Sequence, residues 1–485
     1  MSLRRAAMAA SALALAAIVW AAPWSAPVDP PRQAGSGTAT TVSGGQMQAA
    51  PAAALQTFNC SATPPATPLG QFDSSAIPTN VRTDLRIAPA STVRFERTDL
   101  LANMVYAYGT AVADYDCDGR WDVSLFDSFV STLRRPPGAI GYVSFGGAAP
   151  TLAHAADTWP ELNRNNGVYL LERHVAMDIN GDQLLDIVGV ANSHAAVIAY
   201  LNPGPNAPAG SWTRRYLNVS VPAPINLVAR DMDGDGLIDL VVSMRFQPST
   251  DPSPEIRGLV WLKNPGPESQ DPWARHAIGP SDDLMDPRNL QVADFDRDGR
   301  PDVYVADSTT GVVSTFLQTA VDQWERHSVF LTAIHGHFGT TIDEDGDGVP
   351  EILQPTFLGI KLLRFDAAQK TWLPRVIASF VSEEKLILPG DIAVGDVDGD
   401  GFTDIVFSIL GLATSPTTPR RGGIYMMRRS QNWRIETIVQ TTNSMVEVKL
   451  VDMNGDGLVD IVADEEYPRN AVSIYYQRRI PAWFG

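Results

Sequence analysis

A chain of 485 residues with 44% hydrophobic residues, 38 Gly and 36 Pro is globular, rich in turns, and long enough for one large all-β unit or two to three smaller domains. Its formal charge of −18 excludes a nucleic-acid-binding surface and leaves metals or small ligands as its cationic partners.

The N-terminus, MSLRRAAMAASALALAAIVWAAP, sets Arg4 and Arg5 ahead of an apolar run that ends in small residues at Ala21 and Ala22. This order predicts a signal peptide over residues 1–21, a secreted or periplasmic protein, and no membrane span in the mature chain. A single-pass anchor is the alternative, but the run is Ala-rich and short for a span. Residues 22–84 are dense in Pro, Ala, Gly, Ser and Thr and poor in aromatics, the composition of a linker that cannot bury a core. Cys60 and Cys117 are the only cysteines. In an oxidising compartment a disulfide between them would staple the linker to the first repeat; two unpaired thiols are the alternative.

From residue 85 to 485 the chain is repetitive. A nine-residue acidic motif occurs seven times: DYDCDGRWD from Asp114, DINGDQLLD from Asp178, DMDGDGLID from Asp231, DFDRDGRPD from Asp294, DEDGDGVPE from Asp343, DVDGDGFTD from Asp396 and DMNGDGLVD from Asp452. A short apolar strand precedes each motif and a β-branched one comes after it, such as DLVVS or DIVFS. A second apolar strand comes next, then in five units a strand led by Trp212, Trp273, Trp324, Trp372 or Trp433. Four strands per unit and seven units predict an all-β, seven-bladed β-propeller with an acidic loop in each blade; an open β-solenoid is the rival. The seventh unit ends after its third strand, whereas TVRFERTDLL (Thr92 to Leu101) precedes the first and resembles an outer strand. The expectation is a ring closed by this N-terminal strand, which removes the open edges.

Carboxylates at loop positions 1, 3, 5 and 9 repel one another unless a cation lies between them. Oxygen donors in this number suit Ca²⁺, and glycine at position 6 permits the positive φ that lets the loop turn around the ion. An EF-hand opens in a similar way but requires Glu at position 12 and flanking helices; here position 12 is apolar (Leu125, Val242, Val406) and strands flank the loop.

On these motifs the region resembles calcium-binding FG-GAP or VCBS-type repeats, whose propeller is shared with the N-terminal domain of integrin α subunits. Carried over position by position, the resemblance implies these Ca²⁺ ligands: Asp114, Asp116, Asp118 and Asp122 in the first loop, Asp178, Asn180, Asp182 and Asp186 in the second, and Asp231, Asp233, Asp235 and Asp239 in the third. Asp294, Asp296, Asp298 and Asp302 belong to the fourth, Asp343, Asp345, Asp347 and Glu351 to the fifth, Asp396, Asp398, Asp400 and Asp404 to the sixth, and Asp452, Asn454, Asp456 and Asp460 to the seventh. The second loop departs from the pattern in having Gln183 where Gly belongs, and Glu351 lengthens one arm of the fifth. These loops hold 26 of the 55 acidic residues, so seven divalent ions would take the formal charge from −18 to −4.

No phosphate-binding loop, zinc-protease motif, nucleophile elbow or C-x-x-C pair occurs. His276 and His327 recur at equivalent places in outer strands and read as structural, as do the Trp residues. The entry to each inner strand is more varied: Gly109, Arg173, Asn226, Asn289, Phe338, Asp391 and Glu447, with Glu172, Arg288 and His337 one step earlier. In a propeller these surround one mouth of the axial channel, which makes Arg173, Asn226, Asn289, His337, Asp391 and Glu447 the candidate ligand site. The resulting expectation is a monomeric, calcium-dependent binding or adhesion module for a glycan or protein ligand. The alternative is a carbohydrate-active lyase or dehydratase in which His337 moves a proton while Arg173 or Arg288 holds a uronate carboxylate.

Overall fold

The computed structural model describes residues 81–85, 88–102, 104, 107–127, 138–144, 151–159, 171–205, 207, 212–246, 258–331, 338–357, 359–380, 387–410, 422–466 and 469–478. The signal-peptide segment and all but the last four residues of the linker lie outside them, as do Cys60 and His337.

Twenty-nine strands build the described residues. Two come first in the chain, β1 (Val81–Thr83) and β2 (Arg94–Leu101). The first unit then supplies β3 (Ala107–Ala113), β4 (Asp122–Asp127), β5 (Gly138–Ser144) and β6 (Thr151–Trp159), and the second β7 (Leu171–Met177), β8 (Asp186–Ala191), β9 (Ala196–Leu201) and β10 (Thr213–Asn218). The third holds β11 (Pro224–Arg230), β12 (Asp239–Met244), β13 (Gly258–Lys263) and β14 (Ala274–Ile278), the fourth β15 (Pro287–Ala293), β16 (Asp302–Asp307), β17 (Val312–Ala320) and β18 (Gln323–Phe330). The fifth holds β19 (Thr340–Ile342), β20 (Glu351–Thr356), β21 (Gly359–Asp366) and β22 (Thr371–Phe380), the sixth β23 (Leu388–Gly395), β24 (Asp404–Leu410), β25 (Gly422–Arg428) and β26 (Arg434–Thr441), and the seventh β27 (Met445–Val451), β28 (Asp460–Glu465) and β29 (Ala471–Arg478).

Burial explains the composition of each strand. The second strand of a unit lies between two neighbouring sheets, so β8, β12, β16, β20, β24 and β28 are buried at every position; each opens with an acidic residue followed by apolar ones, and β16, β20 and β28 end in polar residues (Asp307, Thr356, Glu465). Outer strands such as β14 and β18 are mostly half-buried or exposed. The apolar clusters lie between sheets: Met177, Val188 and Val190 pack on Leu227, Val242 and Trp273 of the next unit, and Val241 and Trp261 on Leu290, Val303 and Phe316. Trp372 and Trp433 are buried in the same kind of seam, Trp372 edge-on to Tyr304 of the preceding unit. Their packing role is as expected from sequence. His276 stacks on Trp261 at 4.3 Å between ring centroids and bonds Asp322.

Inner strands succeed one another, β3 against β7, β7 against β11, β11 against β15 and β23 against β27, and β27 and β28 lie against β3. The molecule is an all-β propeller. The expectation of a seven-bladed propeller requires correction: six sheets have the four-stranded blade form, and the fifth unit forms instead a five-stranded sheet ordered β1-β22-β21-β20-β19. Two features set this sheet apart. Its inner strand β19 is only three residues long. Its outer strand β22 runs for ten, and β1 from the segment read as linker pairs parallel to its end, Val81 with Ala378 and Thr83 with Phe380.

From β1 the chain passes along the perimeter. Leu85 is buried with Ile377, Phe380 and Trp433. Thr437 of β26 donates its N–H to Pro89 at 2.7 Å and accepts from Ser91 N–H at 2.8 Å. The strand expected over Thr92 to Leu101 is β2, antiparallel to β29 from Arg94↔Arg478 onward. Arg97 holds it there through an ion pair to Glu465 of β28 and a hydrogen bond donated to Ser473 of β29 at 3.1 Å.

Candidate metal loops and the axial cluster

Every acidic loop joins an inner strand to the buried second strand, and its shape comes from carboxylates that fold back onto the backbone. In the third loop, Asp231 accepts the N–H of Gly234 at 2.8 Å and of Gly236 at 3.0 Å, and Asp235 accepts that of Leu237 at 2.9 Å. Asp239 accepts from Met232 at 2.9 Å and, across the sheet, from Asn264 at 2.7 Å. The bond from position 6 to the first carboxylate recurs in all seven loops at 2.8 to 3.1 Å. It requires a left-handed residue, and Gln183 adopts φ 69° where the other loops place Gly. The second loop therefore keeps the shared geometry despite its sequence. Position 4 is left-handed too, which Cys117 (60°) and Arg297 (64°) accept. Cys117 is disulfide-bonded; Cys60, the other half of the expected pair, lies outside the described residues.

Five loops bring three acidic side chains together with one oxygen from each within 4.8 Å of the others: Asp114, Asp116 and Asp122; Asp231, Asp233 and Asp239; Asp294, Asp296 and Asp302; Asp343, Asp345 and Asp347; Asp396, Asp398 and Asp404. Asp118, Asp235, Asp298 and Asp400 stand outside these groups and accept the N–H of position 7. Glu351 also stands outside, its longer arm accepting the Glu344 N–H. The second and seventh loops have three carboxylates beside Asn180 or Asn454, whose amides donate to Asp182 at 3.0 Å and Asp456 at 3.2 Å.

The ninth residue is buried in every loop. Burial pushes its carboxyl up, with backbone N–H bonds opposing and neighbouring loop carboxylates adding: to about 8 at Asp122, about 7 at Asp186, Asp302, Glu351 and Asp404, and about 6 at Asp239 and Asp460. A cation in the loop would reverse that shift. Asp122 makes the fit to an ion plainest. It is fully buried, its Oδ2 accepts the Tyr115 N–H at 2.9 Å, and its Oδ1 has no partner. All-oxygen donors with an orphaned carboxylate oxygen are what a hard divalent cation takes up.

Sequence reasoning missed the bases at these loops. Lys263 bonds Asp233 and also Asp235, the latter at 2.7 Å; Arg364 reaches Asp345 at 2.5 Å, and Arg428 reaches Asp398 at 2.5 Å. Arg120 and Arg300, at position 7, pair with Asp118 and Asp298. For Lys263 and Arg428 the signal was available as a basic residue ending the third strand.

At the other end of the inner strands, six of them carry a register shift near the entry position, between Tyr108 and Thr110, Leu171 and His174, Pro224 and Asn226, Pro287 and Asn289, Pro389 and Ile392, and Met445 and Val448. Bulges of this kind re-aim side chains and free backbone groups. The entry residues use both, joining each unit to the next. Asn226 donates to the carbonyl of Arg288 at 2.7 Å, and Asn289 to Gln354 at 2.7 Å. Asp391 accepts from Val448 N–H at 3.3 Å and Lys449 at 3.1 Å, while Glu447 accepts from Thr110 N–H at 3.0 Å.

Glu447 centres this cluster. It is fully buried and pairs with Arg173 at 2.5 Å and Lys449 at 3.6 Å; the Arg173 guanidinium lies 3.2 Å above the Phe338 ring. Burial alone would raise its carboxyl, but Arg173, Lys449 and the Thr110 N–H outweigh burial and hold it below the usual range. Beside it, burial raises Asp464 well above that range, with the Glu447 charge adding, and lowers His174 to about 3, Glu447 opposing. A second group joins Asp286 to Arg245 at 2.8 Å and Arg288 at 3.0 Å. Glu172 faces their charges; burial raises it and Arg245 and Arg288 oppose. Arg173, Asn226, Asn289, Asp391 and Glu447 are thus brought to one end of the inner strands, mostly buried and paired. Glu172 Oε1 and Arg173 Nε are buried without a partner.

Fold and loops together define the class. A family model described as FG-GAP-like repeat matches residues 178–242 and 231–305, which contain the second, third and fourth loops. The chain is a β-propeller that carries FG-GAP-like repeats over residues 178–305. Over 81% of its length it is similar to a crystal structure of BBS1N in complex with ARL6DN, soaked with lead, at 11% identity and TM-score 0.47, with 99% of that chain covered. For the same complex soaked with mercury the identity is 11% and the TM-score 0.46, covering 80% of this chain and 98% of that one. No curated protein matches. Among the described residues no helix is long and apolar enough to cross a membrane.

Proposed function

We propose that this β-propeller is a calcium-dependent binding or adhesion module, exported by its N-terminal signal and acting as a monomer on a glycan or protein ligand outside the cytoplasm. The observation that carries the reading is the fivefold recurrence of three converging acidic side chains at one end of the inner strands. In each loop the residues at positions 1, 3, 5 and 9 would hold Ca²⁺, the second and seventh supplying Asn180 and Asn454 as neutral oxygen donors. A bound ion supplies the positive charge that these carboxylates otherwise lack, and so stiffens the turn between inner and second strands. The ring is closed by β2, whose pairing with β29 and Arg97–Glu465 ion pair to β28 support that role. Deleting residues 1–101 should then expose β29 and give aggregation, whereas deletion of residues 1–21 should not.

The ligand is placed at the axial mouth. Support comes from buried polar atoms without partners at this end, Glu172 Oε1 and Arg173 Nε among them, which a ligand hydroxyl or amide can satisfy. A glycan array probed with and without calcium tests the reading. Calcium-dependent binding to a defined glycan class, weakened by Arg173→Gln, is the expected result. Binding unchanged by Arg173→Gln would move the ligand away from the mouth.

A further inference from the structure

Six third strands can be compared at the residue facing the ninth loop position. Pairing of Leu240 with Leu262, Ile352 with Leu363 and Ile405 with Met427 sets Lys263, Arg364 and Arg428 opposite Asp239, Glu351 and Asp404. Pairing of Ile187 with Tyr200, Val303 with Phe316 and Ile461 with Tyr475 sets Leu201, Leu317 and Tyr476 opposite Asp186, Asp302 and Asp460. One register position is basic in three units and uncharged in three. Where it is basic, its side chain bonds the loop's own candidate ligands, Lys263 on Asp233 and Asp235, Arg364 on Asp345, Arg428 on Asp398.

We infer that this position sets the calcium affinity of each loop, so that Lys263, Arg364 and Arg428 hold three loops in a self-paired form that binds calcium more weakly, and their removal strengthens it. The inference rests on the calcium reading above and concerns how the ions are distributed among loops. Two effects act in the same direction. The base occupies carboxylate oxygens that an incoming ion must take over, and it leaves a positive charge beside a doubly charged one. At a separation of about 5 Å and near-water screening, that repulsion alone is worth about tenfold in affinity. Leu201 and Leu317 impose neither, although in the fourth loop Arg300 pairs with Asp298, which leaves the second loop as the clean reference. The propeller therefore has two ranges of calcium response, one from loops with an uncharged facing residue and one from loops with a basic one. Arg428 also reaches Thr92 and Glu436, so Lys263 is the cleaner probe.

Hydrogen exchange of the full chain against free calcium, resolved over peptides spanning residues 178–191 and 231–244, tests this loop by loop. Lys263→Leu installs the residue used in units two and four, and should lower the calcium concentration for half-protection of the third loop by about tenfold without moving the second. Leu201→Lys should raise that of the second loop by a similar factor, and it gives an independent answer if Lys263→Leu does not fold. Midpoints that move less than twofold in both variants, with all loops protected by calcium, would overturn the inference. Absence of calcium protection in any loop of the wild-type chain would remove the calcium reading itself, and this inference with it.

Discussion

The two ends of the inner strands handle charge in opposite ways. At the loop end, carboxylates crowd together with backbone N–H groups as their main donors, and the ninth residue is forced toward its neutral form. At the entry end, Glu447 and Asp391 are as deeply buried, yet Arg173 and Lys449 meet them and Glu447 is driven the other way, below its usual range. Burial is common to both ends. The difference is how much positive charge the fold brings to the buried carboxylates: Lys263, Arg364 and Arg428 reach outer loop carboxylates, whereas Arg173 and Lys449 meet Glu447 itself. An end that does not supply enough positive charge depends on solution for it, whereas an end that does is part of the scaffold.

The largest expected effect of this contrast is on removing calcium. Each independent site binding only the folded form contributes about 2.7 kcal/mol at a hundredfold excess of ion over Kd. Excess chelator should therefore lower the melting midpoint by well over 10 °C in a thermal scan. Substituting the entry end comes next. Glu447→Ala leaves Arg173 and Lys449 facing each other at the buried end, and loss of one member of a buried pair typically costs about 3–5 kcal/mol. Urea unfolding should show that loss equally with and without calcium; a loss seen only with calcium would break the contrast between the ends.

A smaller effect is expected from acid. Burial holds His174 near 3 in the folded protein, with Glu447 opposing, against about 6.5 when exposed. The unfolded chain then binds the extra proton first, so this contribution is complete above pH 6.5 and is lost as pH falls toward 3. Between pH 6.5 and 4.5 the wild type should lose on the order of 2 kcal/mol more than His174→Gln. Equal slopes for the two proteins would show that the imidazole is not held neutral by burial.

Much of this was legible in the sequence, because it is written in short-range patterns. Seven motifs with fixed internal spacing announced the loops, the apolar runs after them announced buried strands, and Thr92 to Leu101 was recognisable as an outer strand. What stayed hidden depends on pairing over long sequence distances. Nothing in the linker composition marks Val81 to Thr83 as an edge strand of a sheet some 300 residues later. The entry positions were found, but not the bulges that turn Asn226, Asp391 and Glu447 onto the next unit, since a bulge leaves no single residue signature. Lys263 is an ordinary strand-end lysine until the register sets it opposite Asp239.

The most direct test of the central claim is a count of ions. After dialysis against millimolar calcium, elemental analysis of the full chain should give one calcium per acidic loop, seven in all. The second and third loops should each lose one when Asp178 or Asp231 is replaced by Asn. A calcium content no higher than that of the dialysis buffer would contradict the account at its root, and would leave the loops as turns held by backbone hydrogen bonds alone.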